Sequence, residues 1–218
     1  IDKLSVFLQA YNEEANLEKK VKNVIENLEK NVSVWEIVIV DDGSKDKTGK
    51  IADDLAKKNK KISVIHHHPN RGYGAAFKSG LYGCKYPWIS FIDSDGQFDF
   101  KEISRFIDTQ EKTGADLVIG YYLGRKVHFT RKLNSKIWQL IVWLLFGLNV
   151  RDIDCGFKLI SKKVVDIIPR LESERGAFIT SEFLIKAKRA GFKIVEIGVQ
   201  HYPRKFGEAT GAKLNVIV

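Results

Sequence analysis

The chain has no methionine, only two cysteines, no apolar run long enough to cross a bilayer and no complete G-x-G-x-x-G. Each absence removes a class of protein. Cys84 and Cys155 stand far apart, with neither CxxC spacing nor a dense framework. A disulfide-stapled secreted scaffold is therefore not expected, a reduced cytosolic setting is indicated, and neither thiol reads as a nucleophile. The most apolar stretch, 137–148, falls short of the roughly 20 residues that a bilayer core about 30 Å thick demands. No signal-peptide pattern opens the chain. The dinucleotide fingerprint belongs at the first βα turn, and its absence there argues against an NAD-dependent oxidoreductase. No long internal repeat and no low-complexity linker is evident, so one domain over 1–218 is expected.

What is present is an ordinary globular composition, 44% hydrophobic and 29% charged, sufficient for a full α/β core. Thirty-six Lys and Arg against 27 Asp and Glu leave a net charge of +9. That excess attracts anions: nucleic acid, acidic phospholipid or phosphorylated substrates. The sharpest local signal is Ile89-Ser90-Phe91-Ile92-Asp93-Ser94-Asp95-Gly96-Gln97, an apolar run that stops at two carboxylates one residue apart. Ligands of open α/β sheets sit just past the carboxyl ends of such strands. In extended chain Asp93, Asp95 and Gln97 would share a face and could reach one hard cation, Mg²⁺ or Mn²⁺, together with the phosphates of a substrate. The alternative is a solvated Asp-Ser-Asp-Gly turn.

The pattern repeats along the chain. Residues 4–10 form an apolar run ending at Tyr11-Asn12-Glu13-Glu14, after which Leu17, Val21, Val24, Ile25 and Leu28 recur at helical spacing within 13–30. A second run, 36–40, ends at Asp41-Asp42-Gly43-Ser44 and leads into another helix; a third strand over 62–65 precedes Asn70-Arg71-Gly72-Tyr73-Gly74 and a helix to Cys84. Alternating strands and helices predict a mostly parallel sheet, with Tyr11-Asn12-Glu13, Asp41-Asp42 and Asp93-Ser94-Asp95 gathered at one edge. The glycines at 72 and 74 suit a tight turn at a helix start, with room for a phosphate. His66-His67-His68 does not suit zinc, because neighbouring strand residues face opposite ways.

Further on, 99–113 reads as a helix and 116–120 as a strand. The basic segment 125–132 precedes 135–148, which carries Trp138, Trp143, Leu144 and Phe146 among almost no charges. Cations beside a Trp- and Leu-rich helix are what an amphipathic interfacial helix on an anionic membrane surface requires; the alternative is a core helix. A helix over 178–190 and a strand over 193–199 close the reading, followed by a basic loop from His201 that could meet phosphates.

Together, Tyr11-Asn12-Glu13, Val40-Asp41-Asp42-Gly43-Ser44, Asn70-x-Gly72-x-Gly74 and Asp93-Ser94-Asp95-x-Gln97 resemble the GT-A glycosyltransferases of family 2. Arg131-Lys132-x-x-Ser135, Asp152-x-x-x-Gly156-Phe157-Lys158 and Tyr202-Pro203-Arg204-x-x-Gly207 are similar to the branch that glycosylates polyprenyl phosphates, typified by dolichol-phosphate mannose synthase. The resemblance covers nearly the whole chain. It implies a donor half over about 1–120, an acceptor and membrane-facing half over about 121–218, and a nucleotide-sugar donor of the GDP-mannose or UDP-glucose type. Ala10, Tyr11, Glu13, Val40 and Asp42 would line the nucleoside pocket. Asp93, Ser94, Asp95 and Gln97 would hold the metal and the diphosphate, Arg204 would close over the donor, and Arg131 and Ser135 would hold a dolichyl or polyprenyl phosphate. Tyr122 stands where relatives often carry arginine, for which Arg125 is a substitute. Relatives commonly add C-terminal transmembrane helices; none occurs up to Val218, which leaves anchoring outside this sequence or peripheral docking at the cytoplasmic face.

The implied reaction is a single displacement with inversion, in which an already ionised phosphate needs no strong base. A sugar hydroxyl acceptor would need one, with Asp152, Asp154 and Glu182 as candidates. Binding to nucleic acid is not expected, because strand-end carboxylates repel its phosphates.

Overall fold

Alternation of apolar runs with amphipathic stretches dictates the architecture. The computed structural model describes residues 1–123, 129–174, 176 and 178–204, with only the main chain for 129–135. Four strands form at the apolar runs: β1 (Lys3–Ala10), β2 (Val34–Asp41), β3 (Ile62–His66) and β4 (Trp88–Ile92). Between them lie α1 (Leu17–Asn31), α2 (Thr48–Lys58) and α3 (Tyr73–Gly83). A 3₁₀ turn (Phe100–Glu102) leads into α4 (Ile103–Thr113), which ends where Gly114 turns left-handed at φ 63°. Then come β5 (Leu117–Leu123), α5 (Phe129–Phe146), β6 (Phe157–Ser161), α6 (Lys162–Ile167), α7 (Phe178–Arg189) and β7 (Ile194–Gln200).

The seven strands make one sheet in the order β3-β2-β1-β4-β6-β5-β7, drawing on both halves of the chain. All pairs are parallel except those of β6, which runs antiparallel to both β4 and β5. Sequence periodicity does not reveal β6. The second of its five residues is Lys158, fully buried, and a charged residue inside a short run breaks the apolar signal. The Lys158 ammonium donates to the Cys155 carbonyl, which offsets part of the cost of burial.

Helices cover both faces. On one, α1 buries Leu17, Val21, Val24 and Leu28, a single helical stripe, against Leu4, Val6 and Leu8 of β1. Fully burying such side chains contributes about 1.5–3 kcal/mol each. On the other, Phe7 and Phe91 stack at 4.9 Å between ring centres, and Phe77 of α3 meets both edge-on. Helix α3 lies so close to the sheet that a Cβ on Gly80 would sit 2.3 Å from the Phe7 ring. Helix α1 begins four residues later than its periodicity suggests, because 13–16 form the turn that carries Glu13. Among the described residues, no helix is long and apolar enough to cross a membrane.

Candidate active site

Parallel register brings the strand ends together. Ala10 pairs with Asp41, Phe7 with Phe91, and the Asp42 amide donates to the Ala10 carbonyl. The loop after β1 is laced to the loop after β2: Asn12 takes its main-chain N–H to Ser44 Oγ (3.0 Å) and accepts from the Lys45 amide (2.8 Å), and the Glu13 amide donates to Thr48 Oγ1 (2.8 Å). Asn12 adopts φ 55° to do this, a left-handed setting that asparagine tolerates. Ala10 and Val40 are buried at the ends of β1 and β2, with Tyr11 half-buried beside them. Asp42 is buried, and its carboxylate accepts from His67 Nδ1, Asn70 Nδ2 and the amides of Arg71 and Gly72.

Past β4 the two acidic residues diverge in their partners. Asp93 lies against Gly156, where an added Cβ would be 1.8 Å from its Oδ2, and its amide donates to the Gly156 carbonyl. Burial, and next the charge of Asp95, push the Asp93 carboxyl up to about 8, while Lys158 and Lys20 pull the other way. Lys20 reaches from α1 to the Phe98 carbonyl (2.8 Å), and burial brings it down to about 8 against the pull of Asp95, Asp93 and Asp99. Asp95 accepts from the Gln97 amide (3.0 Å) and lies 3.8 Å from Arg204 Nη1. The other end of the Arg204 guanidinium pairs with Glu13, whose second oxygen accepts from Asn16. Burial raises the Glu13 carboxyl, and Asn16 and Arg204 temper the rise.

Residues 201–204 form a strap across this edge. The Tyr202 amide donates to the Gln97 carbonyl (2.9 Å), and Gln97 Nε2 donates to the Tyr202 carbonyl (3.2 Å). Tyr122 stacks on Phe98 at 5.8 Å and meets His201 edge-on at 4.7 Å, so the position expected to lack a guanidinium serves as an aromatic seat for the strap. Ser94 turns away from the cleft: its buried hydroxyl donates to the Gln9 carbonyl and ties the loop to β1.

Whether a divalent cation fits can be judged from the donors. Two carboxylates crowded together, one with its ionisation opposed by the other, call for a positive charge. Mg²⁺ or Mn²⁺ would fit such a pair with water and phosphate oxygens completing its shell. No cluster of three or more His, Cys, Asp or Glu that could hold a metal occurs among the described residues. His66 instead contacts Asp41 and Asp53 (3.0 Å each) and His67 contacts Asp42 and Ser79, on opposite sides of the strand end. Both cysteines are buried, which pushes the Cys155 thiol up to about 12 and Cys84 higher.

Residues 5–168 match Glycosyl transferase family 2. The chain belongs to that family. It is 32% identical over 98% of its length to a dolichyl-phosphate beta-glucosyltransferase of Trichomonas vaginalis, covering 68% of that protein. It is 30% identical over 97% of its length to the human dolichyl-phosphate beta-glucosyltransferase, covering 69% of it. Its GT-A fold is shared with glucosyl-3-phosphoglycerate synthase from Mycobacterium tuberculosis in complex with Mn²⁺ and UDP-glucose, with a TM-score of 0.71 at 22% identity over 95% of this chain and 72% of that one.

The second half of this family 2 chain is built differently. Helix α5 turns Val142 into the core and fixes Trp138 by a hydrogen bond to Ser181 Oγ (3.1 Å). It leaves Ile137, Leu140, Ile141, Trp143, Leu144 and Leu145 exposed, the last two by 65% and 67%, with exposed Phe178 packed on Trp138. One stripe of this helix is therefore core, as the core-helix reading expects, and the rest faces outward. Arg131 and Ser135 lie on α5 with side chains outside the described residues, and Arg125, Lys205 and Gly207 lie outside the described residues altogether. Of the three carboxylates considered as bases, Glu182 accepts from the Glu172 and Ser173 amides (2.8 and 2.9 Å) and pairs with Lys186. Burial opposes its charge, but these donors outweigh it and hold the carboxyl down to about 2. It anchors a loop. Asp152 accepts from the Asp154 amide, and Asp154 from Thr180 Oγ1.

The strap and the bracing of Asp42 are what sequence reasoning missed. A fixed-spacing motif cannot show that Arg204 returns 191 positions to Glu13.

Proposed function

We propose that this protein transfers glucose from UDP-glucose to a dolichyl or other polyprenyl phosphate, with inversion, at a membrane surface. The observation that carries the reading is the crowded pair Asp93 and Asp95 beneath Arg204, in a chain matched over almost all its length by two dolichyl-phosphate beta-glucosyltransferases. Those relatives favour glucose over mannose.

Asp93 and Asp95 would hold Mg²⁺ or Mn²⁺, which when bound neutralises charge developing on the departing nucleoside diphosphate. Gln97, committed to the strap through its amide, would contribute from the margin. Arg204 supplies a second positive charge at the same place, and the strand ends and loops carrying Ala10, Tyr11, Glu13, Val40 and Asp42 would receive the nucleoside. An oxygen of the acceptor phosphate, held by Arg131 and Ser135, attacks the anomeric carbon as the bond from that carbon to the β-phosphate oxygen breaks on the opposite face. A phosphate is largely ionised near pH 7, so no general base is required; the engagement of Glu182 with the loop at 172–173 agrees with that. The exposed face of α5 and the net positive charge would seat the protein on anionic lipid, where such an acceptor resides.

Calorimetry with UDP, UDP-glucose, UDP-N-acetylglucosamine, GDP and GDP-mannose, each with Mn²⁺ and again with chelator, tests the donor site. Vesicles containing a polyprenyl phosphate then test transfer. Metal-dependent binding of UDP-glucose and an inverted glucosyl lipid product are expected. Binding of GDP-mannose alone would overturn the donor, and glucosylation of a soluble glycan in place of the lipid would overturn the acceptor.

A further inference from the structure

Of the three consecutive histidines, His67 is the buried one, 4% exposed, and both its ring nitrogens are engaged. Nδ1 lies 2.6 Å from Asp42 Oδ1 and Nε2 lies 2.9 Å from Ser79 Oγ on α3. The Asp42 carboxylate already accepts from two main-chain amides and an asparagine amide, so at this contact the imidazole is the donor. In the neutral ring Nε2 then accepts from the Ser79 hydroxyl.

We propose that His67 is a positioning residue of the donor site, acting through Asp42; this rests on the transferase reading above. Asp42 is the junction of two loops. Its amide is held by Ala10, beside Tyr11, and its carboxylate gathers Asn70 Nδ2 (2.8 Å), Arg71 N (3.0 Å) and Gly72 N (2.9 Å) into the turn that opens α3. Those three donors come from the turn itself and would move with it. The fourth, from His67, comes from the end of β3 and is tied by Ser79 to the body of α3, so it alone references the carboxylate to fixed secondary structure. There is little slack nearby: a Cβ on Gly43, next to Asp42, would be 2.6 Å from the Asn70 nitrogen. A rotation of the Asp42 carboxylate would therefore shift the turn at Asn70, Arg71 and Gly72 that it holds.

Two substitutions of similar size separate positioning from bulk stability. In His67→Asn the amide nitrogen falls near the place of Nδ1 and still donates to Asp42, while His67→Gln reaches toward Ser79 and leaves Asp42 one donor short. With UDP-glucose and Mn²⁺, or whichever nucleotide of the panel the wild type binds, the Asn variant should keep its Kd within about threefold. The Gln variant should weaken binding about tenfold or more, as loss of a hydrogen bond to a charged group implies. In turnover, the Gln variant should raise KM for the donor and leave kcat within about twofold. Equal donor affinities for the two variants, or a Gln variant that binds like the wild type, would overturn the proposal while leaving the transferase reading intact. Failure of the wild type to bind any nucleotide would overturn both. A measurement on the wild type covers the case in which neither variant folds: a long-range ¹⁵N–¹H correlation spectrum should show the proton of His67 on Nδ1. A bare Nδ1 with the proton on Nε2 alone would sink the idea.

Discussion

The strand-end cleft and the outer face of α5 are built in unlike ways. At the cleft the loops after β1 and β2 are laced together by hydrogen bonds, and the Asp42 carboxylate alone takes four. Helix α5, by contrast, presents six large apolar side chains to the outside, and among the described residues Val142 enters the core while Trp138 donates to Ser181 and Gln139 to the Arg151 carbonyl. Charge that develops at one place must be met by dipoles and charges already in place, which demands a rigid, fully bonded edge. A lipid chain offers no directional groups, so an apolar face with loose geometry suffices for it. The contrast is between a site that must be accurate and a surface that need only be greasy.

The largest effect should come from removing the charge that the donor edge is built to balance. Asp95→Ala should weaken metal-dependent donor binding by more than about a hundredfold, since loss of partners one layer further from a metal already costs ten- to a hundredfold. Its melting temperature should hardly move, because the residue sits past the strand end. Calorimetry with and without Mn²⁺ reads both outcomes, and an unchanged donor Kd would remove the metal assignment. Gly156→Ala attacks the same edge sterically. The new Cβ would overlap Asp93 Oδ2, so either the carboxylate or β6 must shift. Overpacking of this kind costs about 1–3 kcal/mol, and a chain of this size loses roughly 2–4 °C of Tm per kcal/mol. Donor binding should fall with it, and a variant that keeps both would mean that β4 and β6 separate easily.

The same contrast explains what could be read from sequence. Strand-end carboxylates are legible because an apolar run ending in acid is a one-dimensional signal, and α1 to α4 follow from the 3.6-residue period of residues such as Val21, Val24 and Leu28. Helix α5 was legible as apolar and aromatic, though which side faces inward was not. Strand β6 was hidden by Lys158, whose burial is tolerated only because the Cys155 carbonyl and neighbouring acids receive it. The direction of the Ser94 hydroxyl is not legible for a simpler reason: a residue between two carboxylates in a loop can face the cleft or the sheet, and only the Gln9 carbonyl decides it.

A smaller effect, confined to the other side of the comparison, is expected from Leu144→Ser with Leu145→Ser. Both side chains are already exposed, so stability should stay within about 0.5 kcal/mol. Binding to anionic vesicles should drop at least about tenfold, given roughly 1.5–3 kcal/mol for each leucine that enters apolar surroundings. Co-sedimentation with vesicles measures this, and the Kd for UDP-glucose serves as the control that must not change. Vesicle binding that survives the double substitution would assign docking to another face.

The smallest effect tests whether the acceptor half has any site as firmly bonded as the donor edge. Glu182 is the candidate, holding the loop at 172–173 and paired with Lys186. Its carboxyl lies well below the ordinary 4.5, at about 2. A depressed carboxyl contributes stability above its unfolded-state pKa and loses it as pH falls through the folded value. Glu182→Gln should therefore cost about 1 kcal/mol at pH 7, the worth of a charge-assisted bond in a partly exposed setting. The gap between variant and wild type should close between pH 4.5 and pH 2. Urea midpoints at pH 7 and across that acid range measure it. A gap that stays constant would mean that the carboxylate acts through shape alone, and the acceptor half would then hold no charge-dependent anchor at this loop.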